Sequence, residues 1–323
     1  MIKNPPIIKQ VVEEMGGKIE KIVPERGCFY IKIKGEKIFV SRKFQISVNF
    51  LSGKGATAFK DVTYHLLNEN GIPTPKTVCF YKKTFNEKDL KKKLDLLKYP
   101  IVIKDADGSN SKGVFVDIKT INEAENIIKR ELNNYSRLIA QEMVFGKEYR
   151  VLILGNKAIG VLEMIPPRIF GDGKITVKEL IEKKQIKTHK KTKFNENLNK
   201  ILFDQGFNLN SVPEKGKEIF IKINSCLAEG GEMRDATELI NDKIELFCAN
   251  AAEAVGKCLA GIDIICEDIS KSPDEQNFTI LEINGKPDLY IHYKPTYGKT
   301  RNVIKDIITF ILKLNEAARK NNA

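Results

Sequence analysis

Tryptophan is absent from this 323-residue chain, which contains only three histidines and six cysteines. The cysteines show no CxxC spacing, so neither a zinc cluster nor a disulfide framework is indicated. No stretch approaches the roughly 18 apolar residues of a membrane-spanning helix. The first residues, Met1 to Pro6, lack the apolar core of a signal peptide. These absences predict a reduced, cytoplasmic protein without membrane contact.

Basic side chains outnumber acidic ones and give the chain a net charge of +12. Much of the excess lies in two lysine-rich stretches, Tyr81 to Lys98 and Lys183 to Lys193, which are interleaved with polar residues and are typical of solvated faces or loops. Without tryptophan or a basic stripe interleaved with aromatic residues, base stacking is poorly supported. An anionic substrate accounts for the charge equally well. The charge therefore does not favour nucleic acid as the main partner.

Two common nucleotide-binding motifs are incomplete or missing. Gly53 to Ala58 precedes a helix, as the glycine turn of a dinucleotide-binding fold does. The next strand, Thr77–Tyr81, contains no carboxylate that could hold a ribose hydroxyl. The GxxxxGK[ST] pattern of a P-loop is absent as well. Neither fold is predicted.

A third phosphate-binding pattern is present at Lys104. This lysine ends an apolar strand, Pro100–Lys104, and is followed by a loop of glycine and small polar residues, Asp105 to Gly113. Such a loop can surround phosphate oxygens with backbone N–H groups, while the lysine supplies a point charge. The alternative is a lysine that merely solubilises the strand end.

Carboxylates occur among apolar residues in two strands near the C-terminus. Asp263 lies in Gly261–Ile265, and Glu282 lies in Thr279–Asn284 with Asn284 on the same face two residues later. If the strands pair as a hairpin, the two carboxylates repel each other unless a cation lies between them. Magnesium commonly binds one or two carboxylates together with substrate phosphates. The alternative is a pair of outward-facing acids on an edge strand.

Several ordered motifs together resemble a known family. They are Lys60-x-x-Thr63, Leu66–Pro75, Tyr99–Val114, Ile139–Leu152, Ile165–Pro167, Gly171–Ile181, Leu209–Gly216 and Gly230–Thr237. Over about residues 56–315 the chain resembles the ATP-grasp ligases, in particular the ATP-grasp region of cyanophycin synthetase and of bifunctional glutathione synthetase. The resemblance implies an α+β fold in which two subdomains clasp ATP, with a small N-terminal α/β unit.

The same resemblance implies a division of the chain and a role for individual residues. The implied segments are 1–55, an N-terminal unit; 56–98, an opening segment; 99–147, a lid subdomain; and 148–323, a catalytic subdomain. The implied nucleotide-binding residues are Lys60, Lys104, Gly108, Ser109 and Gly113 for the phosphates, Gln141, Glu142 and Val144 for adenine, and Glu148 for the ribose. Asp263, Glu282 and Asn284 are the implied ligands of Mg²⁺, which Mn²⁺ can replace, and Arg150 and Lys222 are the implied catalytic residues.

The implied activity is ADP-forming ligation of a carboxylate to an amine through an acyl phosphate, on an amino acid or small peptide. Departures from the family leave the substrates open: Lys222 stands where an arginine is expected, Cys226 lies in a changed loop, and Pro287–Tyr290 replaces the usual Pro-Gly-Leu-Arg. One alternative is a nucleotide-binding sensor or partner-recognition module without catalysis. Another is modification of a nucleic-acid or protein terminus. A homodimer is compatible with the sequence.

Overall fold

The computed structural model describes residues 5–23, 28–40, 56–108 and 113–321. The apolar run 45–51, the glycines Gly53 and Gly55, and Ser109 lie outside these ranges. The chain forms two compact units. Unit 1 comprises Met1–Val161, Thr237–Tyr293 and Arg301–Ala323, and unit 2 comprises Leu162–Ala236 and Lys294–Thr300. The four-segment division implied by the sequence stays a prediction.

Helices and runs of consecutive strands are mixed along the chain. The first part contains α1 Pro5–Glu14, β1 Lys18–Val23, β2 Cys28–Ile33, β3 Glu36–Val40, α2 Lys60–Glu69, β4 Thr77–Tyr81, α3 Glu87–Leu94, β5 Ile101–Asp105, β6 Val114–Ile118, α4 Ile121–Glu131, β7 Arg137–Glu142, β8 Lys147–Leu154 and β9 Lys157–Ile165. The second part contains β10 Arg168–Phe170, α5 Val177–Thr188, α6 Glu196–Phe203, β11 Glu218–Phe220, β12 Glu232–Asp235, α7 Asp242–Ala254, β13 Leu259–Cys266, β14 Phe278–Asn284 and α8 Val303–Asn321.

The N-terminal elements of unit 1 form a helix on a small antiparallel sheet, in the order β1-β2-β3. The apolar face of α1, with Ile8 and Val12, packs in one core with Ile31 of β2 and with Val303 and Ile307 of α8. Burial of such side chains against one another is the main favourable term in folding. The first and last helices of the chain therefore share one hydrophobic core.

A four-stranded antiparallel sheet, β4-β7-β5-β6, follows in unit 1. Alternate residues of β5, Ile101 and Ile103, are fully buried in a core with Leu94 of α3 and Ile128 of α4. Because successive side chains of a strand point to opposite faces, Lys104 points away from this core. The apolar alternation thus places the strand-end lysine on the sheet's other face.

The third sheet described in unit 1 contains the neighbouring strands β9-β8-β13-β14 in that order. β13 is its central hairpin strand and pairs antiparallel with both β8 and β14. The predicted hairpin is confirmed, because Asp263 is directly opposite Glu282 and Gly261 is opposite Asn284. On its other side Asp263 is opposite Arg150 of β8.

Unit 2 has its own core beneath two helices and a two-stranded ribbon, β10-β11. Thr176 and Glu179 form a capping box at the start of α5, which satisfies backbone N–H groups of its first turn. Val177 and Ile181 of this helix pack with Leu202 of α6 and Ile219 of β11. β12 pairs with the last four residues of β9.

Antiparallel sheets with helices packed beside them confirm the predicted α+β class. Within the described ranges, no helix is long and apolar enough to cross a membrane.

The core of the four-stranded sheet gives a prediction for stability. Leu94 is fully buried, so Leu94→Ala should lower the free energy of unfolding by about 2–5 kcal/mol through lost burial and a cavity. Leu246→Ala, at a helix position of the same unit that is 58% exposed, should stay within about 0.5 kcal/mol. Urea denaturation of both variants measures the difference. Equal losses would contradict the assignment of Leu94 to the core.

Candidate functional site

A pocket of about 180 Å³ lies in unit 1 where helix α2 begins and strand β14 ends. Its walls come from the start of α2, the turn after β5 and the last residues of β14. The polar residues that line it include Thr57, Lys60, Tyr64, Asp107, Glu282 and Asn284. Two of the three predicted metal ligands and one predicted phosphate-binding lysine therefore border one cavity.

Lys60 is the first residue of α2, and its ammonium group connects two walls of the pocket. Its Nζ donates a hydrogen bond to the carbonyl of Gly108 at 2.5 Å and lies 3.6 Å from Oε1 of Glu282. The Phe59 side chain gives this helix start no cap. A helix N-terminus favours anions and disfavours cations, so Lys60 adds positive charge where it is already present. This wall of the pocket suits an anionic ligand.

Lys104 lies behind Tyr64, which lines the pocket. Nζ of Lys104 donates to the hydroxyl of Tyr64 at 3.3 Å. Burial lowers the pKa of Lys104 from its ordinary value, while the charges of Glu282 and Asp263 act in the opposite direction. The Lys104 ammonium is thus held in a buried environment near two carboxylates.

Tyr64 itself joins three strands. Its O–H is shared between the carbonyl of Leu281 on β14 and, at 3.4 Å, Oε1 of Gln141 on β7. Burial raises the pKa of Tyr64 well above its ordinary value, so the phenol stays neutral. Sequence reasoning did not single out this residue. The available signal was spacing, since Tyr64 follows Lys60 by four residues and lies on the same helix face.

The carboxylate of Asp263 forms the centre of a buried ion pair. Nε and Nη2 of Arg150 donate to its two oxygens at 2.6 and 2.7 Å. Nδ2 of Asn284 donates to Oδ2 of the same carboxylate at 3.3 Å. Burial lowers the pKa of the Arg150 guanidinium. The charge and hydrogen bonds of Asp263 outweigh this effect and raise that pKa. The bidentate pair locks β8 to β13 beside the pocket.

The predicted magnesium ligands fit a hard cation by their chemistry. Glu282 and Asn284 line the pocket, and Asn284 is hydrogen-bonded to Asp263. Each carboxylate already faces a cation, Lys60 or Arg150. No group of three or more His, Cys, Asp or Glu side chains suited to a metal occurs in the part of the chain that the structure describes. Two carboxylates and an amide suit magnesium that also binds substrate phosphates.

The predicted adenine-binding residues lie at the end of β7. The buried side chain of Gln141 accepts from Tyr64 and donates to Oγ1 of Thr77 at 2.8 Å. The backbone N–H of Glu142 donates to the carbonyl of Lys76 at 3.0 Å. Within the described ranges, the N–H of Val144 has no backbone acceptor. The side chain of Gln141 is thus engaged within the protein, and its contact with adenine stays a prediction.

The remaining predicted residues lie in different places. Glu148 is two residues before Arg150 on β8, on the same face, and its charge acts on that arginine. Gly113 has a positive φ of 67°, and a Cβ there would lie 2.7 Å from the hydroxyl of Tyr135. Lys222 belongs to unit 2, where its Nζ lies 2.8 Å from Oε2 of Glu229.

Comparisons with known proteins agree with this geometry. Residues 66–204 match the family described as D-ala D-ala ligase C-terminus. The chain is 29% identical over 271 residues to cyanophycin synthetase of Nostoc sp.. This alignment covers 80% of the present chain and 30% of the cyanophycin synthetase. The chain is 29% identical over 264 residues to the glutathione biosynthesis bifunctional protein GshAB of Clostridium perfringens, which covers 78% of this chain and 33% of that protein.

The fold is also found in a solved structure, the bifunctional glutathione synthetase of Pasteurella multocida. The match covers 95% of this chain and 44% of the glutathione synthetase chain. Its TM-score is 0.70, and the sequence identity is 20%. The chain spans less than half the length of each of these relatives. The chain therefore has an ATP-grasp fold, is homologous to part of cyanophycin synthetase and of the bifunctional glutathione biosynthesis protein, and is similar over residues 66–204 to the D-ala D-ala ligase C-terminus.

Proposed function

We propose that the protein is an ATP-dependent ligase that joins a carboxylate to an amine through an acyl phosphate and releases ADP. The observation that carries the proposal is the arrangement around the unit 1 pocket. Lys60 and Lys104 approach it from a helix and a strand, and Glu282 and Asn284 line it from another strand. A homologous protein named as a synthetase, cyanophycin synthetase, supports the same reaction class.

The two lysines act as phosphate-binding groups in this proposal. Phosphoryl transfer needs positioning and charge neutralisation more than a covalent nucleophile from the protein. Lys60 also holds the carbonyl of Gly108, so its ammonium is fixed at the turn that follows β5. Lys104 is fixed by Tyr64. Two immobilised cations can then hold the transferring phosphoryl group in line with its acceptor.

The carboxylate of the substrate requires activation because an amine cannot expel oxide. Its oxygen attacks the γ-phosphorus of ATP, ADP leaves, and the resulting acyl phosphate offers phosphate as the leaving group. The amine then attacks the acyl carbon, and cationic groups stabilise the oxyanion that develops. We assign this last role to Arg150, after exchange of its present carboxylate partner. The catalytic role of Lys222 stays a prediction.

Glu282, Asn284 and Asp263 would hold Mg²⁺, or Mn²⁺ in its place, and the ion would supply charge neutralisation at the phosphate oxygens. At present Lys60 and Arg150 satisfy the two carboxylates. Exchange of these partners frees both lysine and arginine for anionic groups. The carboxylates therefore hold the cationic side chains in place until ligands arrive.

The remaining assignments complete the nucleotide site. The peptide groups from Glu142 to Val144 would contact adenine, with Gln141 beside them, and Glu148 would accept the ribose hydroxyls. Gly108, Ser109 and Gly113 would surround the phosphates. The proposed substrates are small molecules, an amino acid or a short peptide together with a second amine. A cytoplasmic location and a homodimer stay predictions.

A screen of ADP release over pairs of amino acids and short acidic peptides tests the function. At least one pair should stimulate ATP turnover above the rate with either member alone. If ATP binds but no pair stimulates turnover, the small-substrate ligase is contradicted. The chain would then fit a nucleotide-binding module without catalysis, because a fold alone does not establish an activity.

Tyr64→Phe should weaken ATP binding about tenfold, because Lys104 loses the hydroxyl that holds it. Tyr81→Phe is the matched control, since its hydroxyl contacts Asp61 on the exposed side of α2. Calorimetric titration with ATP and Mg²⁺ measures both affinities. Wild-type affinity in the Tyr64→Phe protein would show that the hydroxyl does not position Lys104.

Glu282→Gln should retain ATP binding and reduce turnover by about a hundredfold or more, because an interaction with developing charge is lost. The control is Glu316→Gln, an identical change at an exposed position of α8. ADP formation at saturating Mg²⁺ is measured for both. Near wild-type turnover of Glu282→Gln would refute the assignment of this residue as a metal ligand.

Cys226→Ser should retain turnover, with at most a change in apparent substrate affinity. The acyl-phosphate route needs no thiolate nucleophile, and Cys226 is a half-buried free cysteine beside a short helical turn of unit 2. Steady-state kinetics checks this. Complete loss of turnover in a folded, ATP-binding variant, with a covalent adduct trapped on the wild type, would overturn the mechanism.

A further inference from the structure

Lys257 occupies a position at which an apolar residue is the usual choice. Helix α7 ends in a Schellman motif, in which the N–H of Gly256 donates to the carbonyl of Glu253 and the N–H of Lys257 donates to that of Ala252. The second residue after such a helix end commonly makes a hydrophobic contact. Here it is a lysine with only 8% of its surface exposed.

The ammonium group of Lys257 has no counter-charge among the residues that the structure describes. None of the described carboxylates forms an ion pair with its Nζ, and the charge acting on it comes from Lys286. Burial and this neighbouring cation lower the pKa of Lys257. Outside the described ranges, Glu25 is the one residue with an acidic side chain. A buried charge without a partner is costly, so packing alone does not explain the lysine.

The side chain of Lys257 reaches the strand end that carries the predicted metal ligands. A Cβ at Gly285 would lie 2.8 Å from Cε and 3.2 Å from Nζ of Lys257, and 2.5 Å from Oγ1 of Thr57. Glycine at this position therefore leaves room for the ammonium and the hydroxyl to approach the same point. Thr57 and Asn284, the residue before Gly285, both line the pocket of unit 1.

We propose that Lys257 and Thr57 form an oxyanion-binding recess beside Gly285 that holds a carboxylate group of the substrate. This inference rests on the proposed ligase function. The nucleotide phosphates already have Lys60 and Lys104, so the anion that remains to be bound is the substrate's carboxylate. A lysine ammonium and a hydroxyl donate charge-assisted hydrogen bonds to such a group. Its arrival supplies the counter-charge that Lys257 lacks.

Thermal unfolding in the presence of glutarate, a simple dicarboxylate, tests the recess without any need for turnover. At fixed ionic strength, glutarate should raise the midpoint temperature of the wild type, because a ligand that binds the folded state stabilises it. Lys257→Met should weaken glutarate binding about tenfold or more, since a charge-assisted hydrogen bond is lost. Without glutarate, the same variant should melt above the wild type, because an unpaired buried charge is removed.

Two further variants sharpen the result. Lys91→Met removes one exposed lysine from α3 and should keep the full glutarate response. Gly285→Ala places a methyl group in the recess without removing a charge, and it should also weaken glutarate binding. ATP affinity should be retained in Lys257→Met.

An absent glutarate response in the wild type, or an equal response in Lys257→Met, overturns the proposal. A loss of ATP affinity in Lys257→Met with the glutarate response intact also overturns it, because the anion would then be a nucleotide phosphate. These outcomes are separate from the ligase activity. Failure to find a stimulating substrate pair would leave glutarate binding unaffected.

Discussion

Balanced charge in the interior of unit 1 is the constraint on which the site depends. Asp263 is nearly buried and would be costly without a partner. Arg150 and Asn284 satisfy it from the two neighbouring strands, and Lys60 faces Glu282 from the start of α2. Removal of one member of such a pair leaves the other as an unpaired charge, so the group acts as a unit.

The same balance explains how charged groups of both signs can line one pocket. In the proposed function, anionic phosphates would compete with Glu282 for Lys60, while a cation would compete with Lys60 for Glu282. Each ligand would make room for the other, because the internal ion pair would be exchanged for two external ones. This exchange would couple nucleotide and metal binding without any large rearrangement of the sheet.

Tyr64 positions the side chain of Lys104 through a hydrogen bond. Its hydroxyl contacts β14 through Leu281, β7 through Gln141 and β5 through Lys104. One neutral phenol thus fixes the relation of two sheets within unit 1 and of the lysine between them. Lys257 stands in contrast, because its ammonium has no such partner among the described residues. Lys104, which is held by Tyr64, suits a phosphate in a fixed position. Lys257, which has no such partner, suits a ligand that brings its own negative charge.

Much of this site could be predicted from local sequence pattern. Alternation of apolar residues placed Asp263 and Glu282 on facing strands, and their register confirms it. The α+β class followed from strands and helices of mixed order. The bidentate pair of Arg150 with Asp263 was not predicted, because it depends on β8 lying beside β13, which are more than a hundred residues apart in sequence. The roles of Tyr64 and Lys257 also depend on burial and distant neighbours, which spacing along the chain does not reveal.

A crystal structure with a non-hydrolysable ATP analogue and Mn²⁺ tests the central claim most directly, because anomalous scattering locates the metal. We expect phosphate oxygens within hydrogen-bond distance of Nζ of both Lys60 and Lys104, with Mn²⁺ bound by Glu282. Phosphates bound elsewhere, or a metal that does not contact Glu282 or Asp263, would contradict the account.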